Sequence, residues 1–208
     1  MGVKQWPIDK CVDVFMDLCN QAFSEREFSG IAGIEQLTTA WHGSKYKTTP
    51  LLNALRETLG EELLFGGKKE RSLEFPINVA VTATSGTGTE AVMISNYCRS
   101  PDPLDEYEFV RSDDPALEMQ VFEAAAATSA APTIFKPFYH TRTQQTFMDG
   151  GLYYNNPVNV ANRERKLLWP DVADCRPDLL LSIGTGTNSN TIEKQLGIAG
   201  TNKAYVAM

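Results

Sequence analysis

The 208 residues predict an α/β fold, and three observations point to it. Stretches of helical and strand periodicity alternate along the chain. Two strand-like runs, FPINVAVTATS and EAVMISNYC, flank a glycine turn at Gly86 to Gly88. The stretch Thr146 to Pro157, TFMDGGLYYNNP, reads as a strand end, an acidic glycine turn and a helix start in quick succession.

Each element has a local reason. After Pro7, the apolar residues Ile8, Cys11, Val12, Phe15, Met16 and Cys19 recur at helical spacing, with Asp9 and Asp13 near the positive end of the helix dipole. That face is expected to pack on the sheet, because the polar side lacks the Lys/Arg bias of an interfacial helix. SEREFSGIAGIEQLTTAWHGSKYKTTP is mixed in composition and reads as short helical pieces and loops. A second helix starts at Thr49 as cap and Pro50 in the first turn, carries Leu51, Leu52, Leu55 and Leu59 on one face, and ends at Gly60. GGKKERS is a solvated turn before the first strand, where Ile77, Val79 and Val81 alternate with Asn78, Ala80 and Thr82.

The polar connection SPDPLDEYEFVRSDDPA carries Asp102, Asp105, Glu106 and Glu108 without the ligand spacing of a calcium loop, so it reads as solvated surface. LEMQVFEAAAATSAAP reads as an alanine-rich helix ended by Pro132. After TFMDGGLYYNNP, a helix capped by Asn155 or Asn156 with Pro157 in its first turn runs to Trp169. LLLSIGTGT, Leu179 to Thr187, reads as a buried strand ending in glycines, and the tail from Asn188 is polar and weakly patterned.

Composition bounds the function. With 42% hydrophobic and 22% charged residues, the chain has a globular profile and reads as a single domain over residues 1–208. A net charge of -7 disfavours nucleic acid and anionic membranes as bulk partners. Cys11, Cys19, Cys98 and Cys175 form no C-x-x-C pair or metal-ligand pattern, which fits a reduced, cytoplasmic setting and implies no metal or other cofactor. No apolar run is long enough to span a bilayer, so membrane contact is expected to be peripheral.

The chemistry centres on Asp149. An acid where a strand stops, followed by Gly150 and Gly151, sits where α/β enzymes place reactive groups, although Asp and Gly are also ordinary turn residues. Its surroundings add weight. ATSAAPTIFKPF lies upstream, LLLSIGTGT downstream, and KYKTTPLLNALRETLG earlier still. This order of motifs closely resembles the later part of the patatin-like phospholipase domain. The resemblance implies a three-layer α/β sandwich with a mostly parallel central sheet, and hydrolysis of lipid acyl esters by a Ser-Asp dyad. It places the dyad acid at Asp149, with Gly150 and Gly151 shaping the turn after it and Asn156 capping the next helix. It implies a phospholipid or other glycerolipid substrate met at a membrane surface.

One departure is decisive. No serine in the sequence has glycine both two residues before and two residues after it: Ser182 has Gly184 but Leu180, and Ser85 has Ala83 and Thr87. The G-x-S-x-G elbow needs those glycines because its serine sits on a strained turn. The family's glycine-rich oxyanion loop has no counterpart either. The chain therefore reads as an N-terminally incomplete domain that holds the acid and lacks the nucleophile, inactive by itself.

Two other readings stand beside this one. A non-catalytic lipid- or partner-binding remnant accounts for the missing elbow, with self-association through an uncovered sheet edge. Nucleotide binding rests on Gly86, Gly88 and Ala91 as G-x-G-x-x-A with Glu108 beyond, but AVMIS follows where that fingerprint needs a helix. His42 and His140 are candidates for a catalytic base, though lone histidines are more often structural. Ser129, in Ser-Ala-Ala-Pro, reads as a packing feature.

Overall fold

The structure is a computed structural model that describes residues 2–4, 6–23, 43–65, 77–102, 104, 106–110 and 114–184. The chain divides into two compact units, Met1–Asn155 and Asn156–Met208. Residues 24–42 of the segment expected as short helical pieces, the GGKKERS turn and the residues beyond Gly184 lie outside the described residues, His42 among them.

In the first unit, α1 spans Ile8–Ala22, α2 Thr48–Leu59, α3 Val121–Thr128 and α4 Gly151–Tyr154. The strands are β1 Ala80–Ser85, β2 Ala91–Ser95, β3 Glu108–Val110, β4 Phe138–His140 and β5 Gln145–Asp149. They form one sheet in the order β3-β2-β1-β5-β4. The expectation of a mostly parallel sheet is corrected: β1–β2, β1–β5 and β4–β5 are antiparallel, and only β2–β3 is parallel. The reason is loop length. Gly86–Glu90 and Thr141–Gln144 are too short for a crossover, so each closes a hairpin. Gly88 adopts φ +75° in the first hairpin and Gln144 φ +56° in the second.

α2 ends as its sequence predicts, with Gly60 at φ +75° donating its N–H to the Arg56 carbonyl at 2.8 Å. α3 starts later than the apolar pattern suggested, after a short 3-10 turn at Pro115–Leu117, because Gln120 and Glu123 form a reciprocal capping box. α3 lies against β1, β4 and β5, with α2 on α3 and α1 on α2. Its buried alanines, Ala124, Ala126 and Ala127, bring the helix close to the sheet beside Ala83, Phe138 and Phe147.

α1 departs from expectation. Leu18 and Ala22 pack inward, whereas Ile8, Val12, Phe15 and Met16 are exposed. The helical stripe is broader than the face that α2 covers, so one sector packs and the adjoining sector does not.

In the second unit, α5 spans Val158–Leu168 and a 3-10 turn follows at Pro170–Val172. Arg165 ties them together, donating to the carbonyls of Val172, Ala173 and Cys175 at 3.0, 3.1 and 3.2 Å. Leu179 to Gly184, expected as a buried strand, forms none: Leu179, Leu181 and Ile183 are exposed. An apolar run becomes a strand only with a neighbour to take its backbone hydrogen bonds, and none pairs with it among the described residues.

Candidate active site

Asp149 ends β5 opposite Ala83 of β1. Its main chain is held from two directions. The N–H donates to the Ala130 carbonyl at 3.0 Å, and its carbonyl accepts the hydroxyl of the fully buried Thr84 at 2.8 Å. Ser-Ala-Ala-Pro therefore does more than pack, because its Ala130 carbonyl fixes the backbone that carries Asp149.

The two glycines answer to different constraints. A Cβ on Gly150 would lie 2.2 Å from the Thr82 carbonyl oxygen and 2.3 Å from the Thr82 hydroxyl, where no side chain fits. That carbonyl is itself fixed by a 2.7 Å bond from the Thr128 hydroxyl. A Cβ on Gly151 would meet the Asp149 Oδ1 at 2.8 Å. The Gly151 N–H donates to the same Oδ1, which sets the carboxylate's orientation. Asp149 Oδ2 takes no hydrogen bond among the described residues, and the side chain is partly exposed. Gly150 then starts the single turn of α4, accepting from Tyr153 and Tyr154 at 3.2 and 2.8 Å. Tyr153 Oη donates to the Gly88 carbonyl at 3.1 Å, tying α4 to the β1–β2 turn. Tyr153 also lines a cavity of about 410 Å³ with Glu90, Glu106, Tyr107 and Glu108.

The two serines whose flanks come nearest to the elbow pattern are engaged elsewhere. Ser85 Oγ lies 3.0 Å from Thr87 Oγ1 and accepts the Glu90 N–H at 3.3 Å. Ser182 Oγ donates to Asn156 Oδ1 at 3.3 Å, a group that is no base. Asn156 Oδ1 also accepts the Val158 N–H at 3.2 Å, but the expected cap is corrected: Pro157 holds the N-cap position of α5, which has no side-chain cap bond, so Asn156 closes a local turn one residue before it. The Gly86–Gly88 turn leads into β2 and not into a helix, which removes the structural ground for a pyrophosphate site.

His140 sits on β4 opposite Gln145, at the far end of β5 from Asp149, so the two form no triad. It is fully buried, with Nδ1 2.7 Å from Thr143 Oγ1 and Nε2 3.5 Å from Glu123 Oε2. The Nε2 contact is an ion-pair distance, too long for a good hydrogen bond. Glu123 Oε2 also accepts the Gln120 N–H at 2.8 Å and an Arg142 N–H. Burial works to raise the Glu123 carboxyl. The neighbouring His140, the Gln120 amide and the Arg142 charge outweigh it and hold the group below the usual glutamate value. Sequence reading missed this cluster, although the Glu123 capping position was visible in it.

The family model for patatin-like phospholipases matches residues 6–162. Human calcium-independent phospholipase A2-gamma is 26% identical over 187 residues, covering 89% of this chain and 22% of that protein. The cGAMP-activated phospholipase of Vibrio cholerae is 26% identical over 92% of this chain and 48% of its own length. The probable inactive patatin-like protein 9 of Arabidopsis thaliana is 33% identical over 38% of this chain and 22% of its own. The chain thus spans half or less of the length of these relatives.

Proposed function

As the chain belongs to the patatin-like phospholipase family, we propose that it supplies the acid half of a lipid acyl hydrolase, with Asp149 as the base of a Ser-Asp dyad that cleaves acyl esters of glycerolipids. The observation that carries this is the Asp149 turn. A carboxylate is presented at a strand end with its main chain fixed on both sides, one oxygen oriented by Gly151, and no room for a Cβ on Gly150.

In such a dyad the carboxylate takes the serine proton directly, so it must lie roughly 2.6–3.2 Å from the hydroxyl. The alkoxide attacks the ester carbonyl, backbone N–H groups stabilise the oxyanion, and an acyl-enzyme forms that water then releases. The bond between Gly151 N–H and Oδ1 leaves Oδ2 as the oxygen that receives the proton. These 208 residues hold no G-x-S-x-G serine, so the reaction needs a nucleophile and oxyanion donors from outside them. The acid and its turn need no metal ion. The substrate is met by peripheral contact, and no helix of the described residues is long and apolar enough to cross a membrane.

A second reading, a non-catalytic lipid- or partner-binding protein, is favoured by the missing elbow and by the occupied hydroxyls of Ser85 and Ser182. The deciding experiment joins this chain to a family segment bearing G-x-S-x-G and measures release of fatty acid from phosphatidylcholine. Hydrolysis lost on Asp149→Asn supports the dyad. Hydrolysis retained in that variant removes Asp149 from the chemistry.

A further inference from the structure

At 3.6 residues per turn, α1 divides into three adjoining sectors. Cys11, Val14, Leu18 and Ala22 face α2 and the core. Ile8, Val12, Phe15 and Met16 come next and are 64, 55, 62 and 56% exposed, an apolar stripe open to solvent. Asp9, Asp13 and Asp17 form the third sector, all exposed and spaced one turn apart. On the other side of the stripe, Phe15 is shared with a groove of about 320 Å³ lined by Trp6, Cys11, Val14, Leu18, Leu59 and Val121.

The geometry points to α1 as a docking face for an amphipathic helix of a partner protein, one whose apolar stripe is flanked by lysines or arginines. Apolar anchors of that helix lie on Val12, Phe15 and Met16 and enter the groove, while its basic flank runs beside Asp9, Asp13 and Asp17. Charge decides between this occupant and the others. Lys4 at the groove is matched by Glu62 at 2.7 Å, and Lys10 of α1 lies 4.7 Å over the Trp6 ring, so three aspartates against one lysine leave this helix with a net acidic stripe beside the apolar face. An anionic lipid surface is repelled by that stripe, and a zwitterionic one leaves it unmatched. A second copy of this chain brings an identical stripe and the same net charge of -7. This inference goes beyond acyl hydrolysis, and its test reads no activity.

The probe is a synthetic peptide of about five helical turns, with leucines at i, i+3, i+4 and i+7 and lysines along one flank, titrated calorimetrically into the intact chain. Binding is expected to weaken about tenfold in Asp9→Asn/Asp13→Asn/Asp17→Asn and at least that much in Val12→Ser/Phe15→Ser. It is expected to change less than about twofold in Glu106→Gln/Glu108→Gln, an acidic control elsewhere. All these side chains are exposed or half-exposed in contacts the fold does not rely on, so circular dichroism should match the parent. Four results overturn the proposal: no binding; equal affinity for a peptide with glutamates on the flank; equal loss in the Glu106/Glu108 control; or a Val12/Phe15-dependent association with phosphatidylcholine vesicles or with itself in place of peptide binding.

Discussion

Gly150→Ala is the sharpest test of how the Asp149 turn is built. Gly150 has φ -68° and ψ -20°, ordinary helical values, so alanine carries no backbone strain there. Losing glycine's unfolded-state freedom would even add about 0.4–1 kcal/mol of stability. Sterics decide the sign. The new methyl would sit 2.2, 2.3 and 2.5 Å from the carbonyl oxygen, hydroxyl and carbonyl carbon of Thr82, well inside the 3.0 Å that real Cβ atoms essentially never cross. Two of those atoms are backbone of a central strand, and the oxygen is pinned by Thr128, so neither side yields cheaply. Overpacking of this kind costs about 1–3 kcal/mol and occasionally more. The net expectation is a loss of about 1–2 kcal/mol, read as a lower urea midpoint at unchanged slope. Gly151→Ala is the control. Its clash at 2.8 Å is with the movable Asp149 carboxylate, so stability should hold while the carboxylate is displaced. A Gly150→Ala midpoint equal to the parent's would refute the close approach of the turn to β1.

Other predictions follow from single contacts. Thr84→Val removes the hydroxyl that holds the Asp149 carbonyl inside a fully buried site and should cost about 1 kcal/mol in urea unfolding. Glu123 is held below its unfolded value, so its contribution is complete above the ordinary glutamate range and is lost as pH falls through the depressed value. Glu123→Gln should flatten the acid side of a stability-pH profile, and an unchanged acid limb would count against the cluster. Arg165→Lys cannot reach three carbonyls in one fork, so amides of Val172 to Cys175 should exchange faster with solvent while α5 itself is unaffected.

Much of this structure was legible in the sequence where causes are local. Gly60 ends α2 as expected and Pro50 lies in its first turn, although the helix starts at Thr48 without the expected Thr49 cap; the alanines of α3 mark a close-packed helix, and Phe147-Met148-Asp149 ends a strand where expected. What escaped reading depends on partners distant in sequence. Strand direction followed from the two short hairpins and not from the alternation of helices and strands. The exposed stripe of α1 depends on how much of it α2 covers, which periodicity does not state. Leu179 to Gly184 has strand composition, but composition supplies no pairing neighbour. At the candidate site, the strand end at Asp149 and the tight turn after it were legible from the two glycines, whereas the Ala130 carbonyl and the Thr84 hydroxyl that hold the Asp149 backbone lie 19 and 65 residues away.

A chain that carries the dyad acid without its serine offers no activated hydroxyl to a serine-directed probe. The measurement that tests it most directly is reaction of the purified chain with a fluorophosphonate serine-hydrolase probe, read by intact mass beside turnover of a short-chain ester. No adduct and no turnover are expected. A single adduct that disappears in Asp149→Asn would contradict it, because a serine within the chain would then be the nucleophile.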